Sequence, residues 1–192
     1  MTDDAARRIL DAAGRCIVKR GNTQIRMSDV AGEADVVRST VYRYFPTRDD
    51  LLLGLVLRRV DAALGRIVRD LRHPDDPARC IPCMVLQPAE SVDGDLLNEA
   101  LFASESTALT TALALGSEEL VDVVVGHYDA LFARWQADGS MYPDLDRREV
   151  ARWIHTAVLH LLTPSWRHRP RAAKRRFVAQ FVVRALLPRF GH

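Results

Sequence analysis

An all-α fold in two parts, a small N-terminal head followed by a larger helical domain, is predicted by three observations. Apolar residues recur three and four positions apart along most of the chain, the spacing of helices with one buried face. No alternating run of β-branched residues competes with that period, and no internal repeat or low-complexity stretch interrupts it. Between Met27 and Phe45, two short helical stretches meet at a turn of about three residues, as in a helix-turn-helix unit.

The elements follow in order. Thr2-Asp3-Asp4 starts the first helix, with acids where the helix dipole favours them. Ile9, Ala12, Ala13, Cys16 and Ile17 form its apolar face, and Gly21 closes it. Met27–Ala34 and Val37–Phe45 come next, with Met27, Val30, Ala31, Val41 and Phe45 spaced to pack on the first helix. Thr47 caps a fourth helix, with Asp50 in the capping-box position. That helix runs to about His73 on an inner stripe of Leu51, Leu52, Leu55, Val56, Val60, Leu64, Ile67 and Leu71. Pro74 to Pro77 breaks the chain. Residues 77–92 are helical in pattern but contain Pro82 and Pro88. An interior proline costs ~3 kcal/mol, so a bent, short or mobile element is expected there. Asp95–Leu115 is helical with an interruption around Ser104–Thr107; Ser117 opens a strong helix to Ala137, ended by Gly139. Asp146–Leu162 stops at Pro164, and Arg171–Leu187 at Pro188. About nine helices are expected, with a helix-turn-helix head over residues 1–46 and a larger helical domain over 47–192.

Composition excludes several classes. The chain has 192 residues, 48% hydrophobic and 27% charged, as in an ordinary globular protein. Its longest apolar run, near Leu51–Leu57, is far short of the ~18 residues that cross a bilayer. The N-terminus is acidic where a signal peptide is basic, so a cytoplasmic protein with no membrane partner is expected. Net charge is +1 over residues 1–50, −7 over 51–163 and +8 over 164–192. The acidic middle argues against nucleic acid wrapping the whole molecule. The basic run from Arg167 to Arg176 is expected to be a solvated helix face.

Catalysis and cofactors are not expected. The six histidines show no H-E-x-x-H spacing, and no glycine-rich phosphate loop or G-x-S-x-G elbow occurs. Cys16 fits the first helix's core face. Cys80 and Cys83 form a single C-x-x-C, too few ligands for a zinc site; as apolar fillers they need no function, and as a thiol pair they would gate activity.

The second helix of the unit carries the chemistry. Arg38, Ser39, Thr40, Tyr42, Arg43 and Tyr44 place donors, acceptors and aromatic hydroxyls in one short stretch, more than packing requires. In a helix-turn-helix this helix enters the DNA major groove. Arg38, Ser39 and Thr40 lie at the end that reaches base edges, and Arg38 suits a bidentate contact to guanine. Arg43 reads as a base contact, a phosphate contact or a solvated residue, and Ser28 as a phosphate donor.

From Ala31 to Leu52 the sequence AGEADVVRSTVYRYFPTRDDLL resembles the TetR family of one-component transcriptional regulators. It matches the family pattern at Ala31, Ala34, Val36, Thr40, Tyr42, Tyr44, Phe45 and Leu51, with Arg48 for the usual lysine. Asp35 replaces the turn glycine, a mild change because Asp tolerates a left-handed backbone. Val37 replaces the capping serine, a loss of ~1 kcal/mol that packing of Val37 would offset. The motif match covers about the first 57 residues.

Tyr42, Tyr44 and Arg48 look like phosphate anchors, as the resemblance also implies; for Tyr42 the alternative is packing against the first helix. The resemblance also implies that the last two helices form a four-helix dimer interface, here through Trp153, Ala157, Leu161, Phe177, Phe181, Val182 and Ala185. Two-fold symmetry is what an inverted-repeat operator requires. The large second domain implies a small, largely apolar effector, with Met84, Phe102, His127, Tyr128 and Trp135 as lining candidates. A repressor released from double-stranded DNA by that effector is the leading expectation. The alternatives are a redox- or metal-gated regulator using Cys80 and Cys83, and an architectural DNA-binding protein without effector.

Overall fold

The amphipathic pattern resolves, in a computed structural model, into helices throughout the described residues, 2–102, 110 and 113–188, with no strand among them. The interruption expected around Ser104–Thr107 lies outside the described residues. Among the described residues no helix is long and apolar enough to cross a membrane. Packing divides the chain into two units, Met1–Arg59 with Ser91–Gly116, and Val60–Glu90 with Ser117–His192. This division follows packing alone, whereas the expected boundary at 46/47 separates the parts by function.

In the first unit, α1 (Thr2–Arg20), α2 (Met27–Glu33) and α3 (Arg38–Tyr44) gather around Ile9, Ala12, Ala13, Cys16, Ile17, Val30, Ala31 and Val41, all buried. The first turns of α4 (Arg48–Asp70) add Leu51, Leu52 and Leu55 to the same core. Thr47 and Asp50 form the expected capping box: the Asp50 carboxylate accepts from the Thr47 amide (2.9 Å) and the Thr47 hydroxyl accepts from the Asp50 amide (3.1 Å). Gly54 permits a close approach, since a Cβ there would stand 2.9 Å from the Phe45 ring that follows α3. The short α6 (Leu96–Leu101) joins this unit through Arg59, which reaches Asn98 at 2.7 Å and Asp95 at 2.6 Å.

The turn between α2 and α3 is a Schellman motif. The Asp35 amide donates to Gly32 O (3.2 Å) and the Val36 amide to Ala31 O (3.0 Å), with Asp35 at φ 53°. The left-handed backbone expected of the turn position is therefore met by Asp. Asp35→Gly should raise stability by up to ~1 kcal/mol, and Asp35→Val should lower it by ~1–2 kcal/mol. Thermal unfolding of the two variants checks the order; equal melting points would mean that the turn is not strained.

In the second unit, α7 (Glu118–Ala137) and α8 (Arg147–Leu162) pack together, and α5 (Pro77–Glu90) lies against α8. Ser117 caps α7 and Asp146 caps α8, each accepting a backbone amide from the first turn. Contrary to an expected short element, α5 spans 14 residues with Pro82 and Pro88 inside it. Burial of Cys80, Ile81, Met84, Val85, Leu86 and Ala89 offsets the hydrogen bonds that the prolines cannot donate. A single turn, α9 (Pro164–Arg167), precedes the final helical run. That run is α10 (Arg171–Phe177), a π-helical stretch (Val178–Val183) and a closing turn (Arg184–Leu186). The basic segment is not solvated throughout: Lys174 is buried and its ammonium donates to Arg167 O at 2.6 Å.

Candidate nucleic-acid interface

Of the seven residues of α3 only Val41 is buried, and it fixes the helix to the head. Phe45 and Tyr44, partly buried, pack on the same core and secure its C-terminal end. Arg38, Ser39, Tyr42 and Arg43 are exposed and Thr40 is partly so. The helix thus has one inward anchor and an otherwise outward polar face.

Arg38 and Tyr42, four residues apart, share a side of that face. The guanidinium donates to the Tyr42 hydroxyl at 3.0 Å and lies 5.2 Å from the ring centroid. Arg43 lies over the Tyr44 ring at 5.1 Å. Arg48, half-buried at the start of α4, donates to the Gln24 side chain at 3.1 Å and stands 3.5 Å from Asp49. Ser28 is exposed, with its hydroxyl 3.4 Å from Asp29.

Electrostatics separate this face from the rest of the head. Glu33 is engaged by Lys19 (2.6 Å) and Arg15 (2.7 Å), whose hydrogen bonds hold its carboxyl below the usual range. Arg20 pairs with Asp29 at 3.1 Å, and Arg58 with Asp11 at 2.8 Å. Among the described residues, Arg26, Arg38 and Arg43 pair with no carboxylate. A head with a net charge of only +1 over residues 1–50 thus keeps two uncompensated cations, Arg38 and Arg43, on the exposed helix. Sequence reading missed two features here. Arg26 occupies the cap position of α2, where a Ser, Thr or Asp is usual. Val37, expected to pack, is 67% exposed and caps nothing.

The other candidate residues are distributed more widely. Tyr128 and Trp135 are fully buried and linked through Phe132, with ring centroids 6.0 and 5.9 Å apart. Met84 is buried in the same unit, and His127 is bound to Asp61 at 2.8 Å. Phe102 belongs to the first unit, where it packs on the head's core. Among the described residues the Tyr128 hydroxyl has no hydrogen-bonding partner. Burial pushes the Cys80 thiol up to about 11, and its sulfur donates to His73 O at 3.1 Å.

The proposed dimer residues divide by row. Ala157, Leu161 and Val182 are buried within the protomer, so they are corrected from surface to core. Phe181 and Trp153 are 58% and 40% exposed, Ala185 is exposed and Phe177 is half-buried. Phe177 sits 4.8 Å from Trp166, 5.0 Å from His160 and 5.5 Å from Phe181, ring centre to ring centre. An aromatic cluster therefore leads outward to Phe181.

Comparison with known proteins fits this geometry. Residues 9–55 match the family of bacterial regulatory proteins described as the tetR family. The chain is 34% identical over 152 residues to the HTH-type transcriptional repressor KstR of Mycolicibacterium smegmatis, covering 77% of this chain and 70% of that one. It is 29% identical over 192 residues to the HTH-type transcriptional regulator Rv1255c of Mycobacterium tuberculosis, covering 97% and 88%. Among solved structures, the R. erythropolis transcriptional repressor QsdR superposes with a TM-score of 0.72 at 16% identity over 100% of both chains. SmeT, in complex with triclosan, gives 0.55 at 19% identity over 97% of this chain and 93% of that one. With its helix-turn-helix and these relatives, the chain belongs to the TetR family of helix-turn-helix transcriptional regulators.

Proposed function

We propose that the protein is a cytoplasmic repressor that binds an inverted-repeat operator as a homodimer and leaves it when a small, largely apolar effector binds. The observation that carries this reading is α3, with a single buried anchor and an outward face of Arg38, Ser39, Thr40, Tyr42 and Arg43 free of acids. Arg38, Ser39 and Thr40 take the base edges, and Tyr42, Tyr44, Arg48 and Ser28 the phosphates, with Arg43 at either. Selection of bound sequences from random duplex DNA tests it. A recovered two-fold repeat supports the reading; recovery of no preferred sequence overturns it in favour of an architectural role.

The effector acts in the second unit. A cleft of about 420 Å³ there is lined by Pro82, Cys83, Leu86 and Ala179, with Arg79, Gln87, Arg171 and Arg175. The buried Tyr128 hydroxyl, without a partner among the described residues, also favours a polar group supplied by the effector. Release requires that the effector prefer a conformation in which the two heads no longer fit the half-sites. Tyr128→Phe should leave the free protein as stable or ~1 kcal/mol more so, because a buried hydroxyl without a partner is removed. The same change should weaken an effector that bonds to it about tenfold. A drop in the melting point of the free protein would show that the hydroxyl is already satisfied. Thiol gating that starts at Cys80 is disfavoured, since that thiol is buried, bonded to His73 O and raised in pKa, which makes it a poor nucleophile and metal ligand.

A further inference from the structure

We propose that Val37 is a specificity-determining residue that reads the 5-methyl group of a thymine in each operator half-site. This rests on the DNA-reading role of α3 proposed above. Val37 stands at the cap position of α3 with φ −72° and ψ 148°, and its side chain makes no capping hydrogen bond. It is 67% exposed and lies outside the head's core, whereas its neighbour Val36 packs on that core. The family pattern has a serine here, a residue that caps the helix, so the exchange gives up a cap and gains no burial.

An apolar side chain exposed beside Arg38 and Ser39 gains its burial only when the head docks. On the major-groove edge of DNA the bases present donors, acceptors and one apolar group, the thymine methyl. Valine suits that contact. Its β-branched side chain holds nearly one rotamer, so little freedom is lost on docking. Its two methyl groups also exclude water from the thymine methyl without offering a hydrogen bond to any other base. Arg38, the next residue, supplies a directional contact to a guanine, so adjacent positions of the helix read by different chemistry.

The test uses the full chain and the duplex recovered by selection from random DNA. Each thymine is replaced in turn by deoxyuridine, which removes the methyl and keeps the pairing. One thymine per half-site should be found whose replacement weakens the wild-type protein about fourfold. For Val37→Ala the same replacement should be silent. Val37→Ser, which restores a capping side chain, should melt no lower than wild type and should also be silent to deoxyuridine, so loss of folding does not account for the result. A deoxyuridine scan that is flat for the wild type, or equal losses in wild type and Val37→Ala, would overturn the assignment while leaving DNA reading by α3 intact. Recovery of no preferred duplex would overturn both.

Discussion

Phe181→Glu should yield a folded monomer whose operator affinity is lower by a factor of about 10²–10⁴, the range by which two linked contacts exceed one. Phe181 is 58% exposed at the open end of the Phe177, Trp166 and His160 cluster, on the same helical run as exposed Ala185. Its replacement removes a ring contact with half-buried Phe177 but no buried side chain from the protomer, and a carboxylate there must be desolvated before a second copy can cover the face. Val182→Glu is the contrasting variant. Val182 is fully buried, so a carboxylate there should unfold the protomer rather than only separate two of them. Sedimentation, thermal unfolding and operator binding distinguish the outcomes. A Phe181→Glu protein that sediments as wild type would remove this face from the dimer; a well-folded wild-type monomer at micromolar concentration would remove the dimer itself.

The difference between Phe181 and Val182 marks where sequence reading stops. Periodicity places Phe177, Val178, Phe181, Val182, Ala185 and Leu186 on one apolar stripe two rows wide. Which row meets the protomer's own core depends on helix rotation, and the π-helical stretch Val178–Val183 alters that rotation in a way no residue announces. Local chemistry was far more legible. The Thr47 and Asp50 capping box and the left-handed Asp35 each depend on a few adjacent residues, and each forms as read; Ser117 and Asp146, read as helix starts, stand as caps one residue before them. Pro82 and Pro88 do not cut α5 short, because their cost is local whereas the burial that offsets it comes from other helices. Val37 misled for the opposite reason: its apolarity suggested packing, and the short, tight turn leaves it facing out. In the candidate site, sequence identified the polar residues of α3. It did not show that Arg15, Lys19 and Arg20 are occupied by Glu33 and Asp29 while Arg38 and Arg43 stay without a carboxylate partner, because those pairs form between helices.

Arg38→Ala and Arg48→Ala should weaken DNA binding in different ways. Arg38 is exposed near the start of α3, steadied by the Tyr42 hydroxyl at 3.0 Å, and its guanidinium has the fork that guanine O6 and N7 require. Its loss should cost ~1–3 kcal/mol per half-site and relax preference at one base position, with little effect on other sequences. Arg48 is half-buried and tied to Gln24, and it follows the reading helix instead of lying on it. In the proposed phosphate role of that cation, Arg48→Ala should weaken all sequences nearly equally. It should also lower the slope of log affinity against log salt by ~0.9 for each phosphate contact removed. Neither change threatens the fold, since Ala is the better helix former and neither side chain fills the core. Affinity for the selected duplex and for single-base variants, taken across a salt series, separates the two effects. If Arg38→Ala lowered the salt slope and left base preference intact, the base and phosphate roles would be exchanged. If both variants kept wild-type affinity throughout, α3 would not be the reading helix.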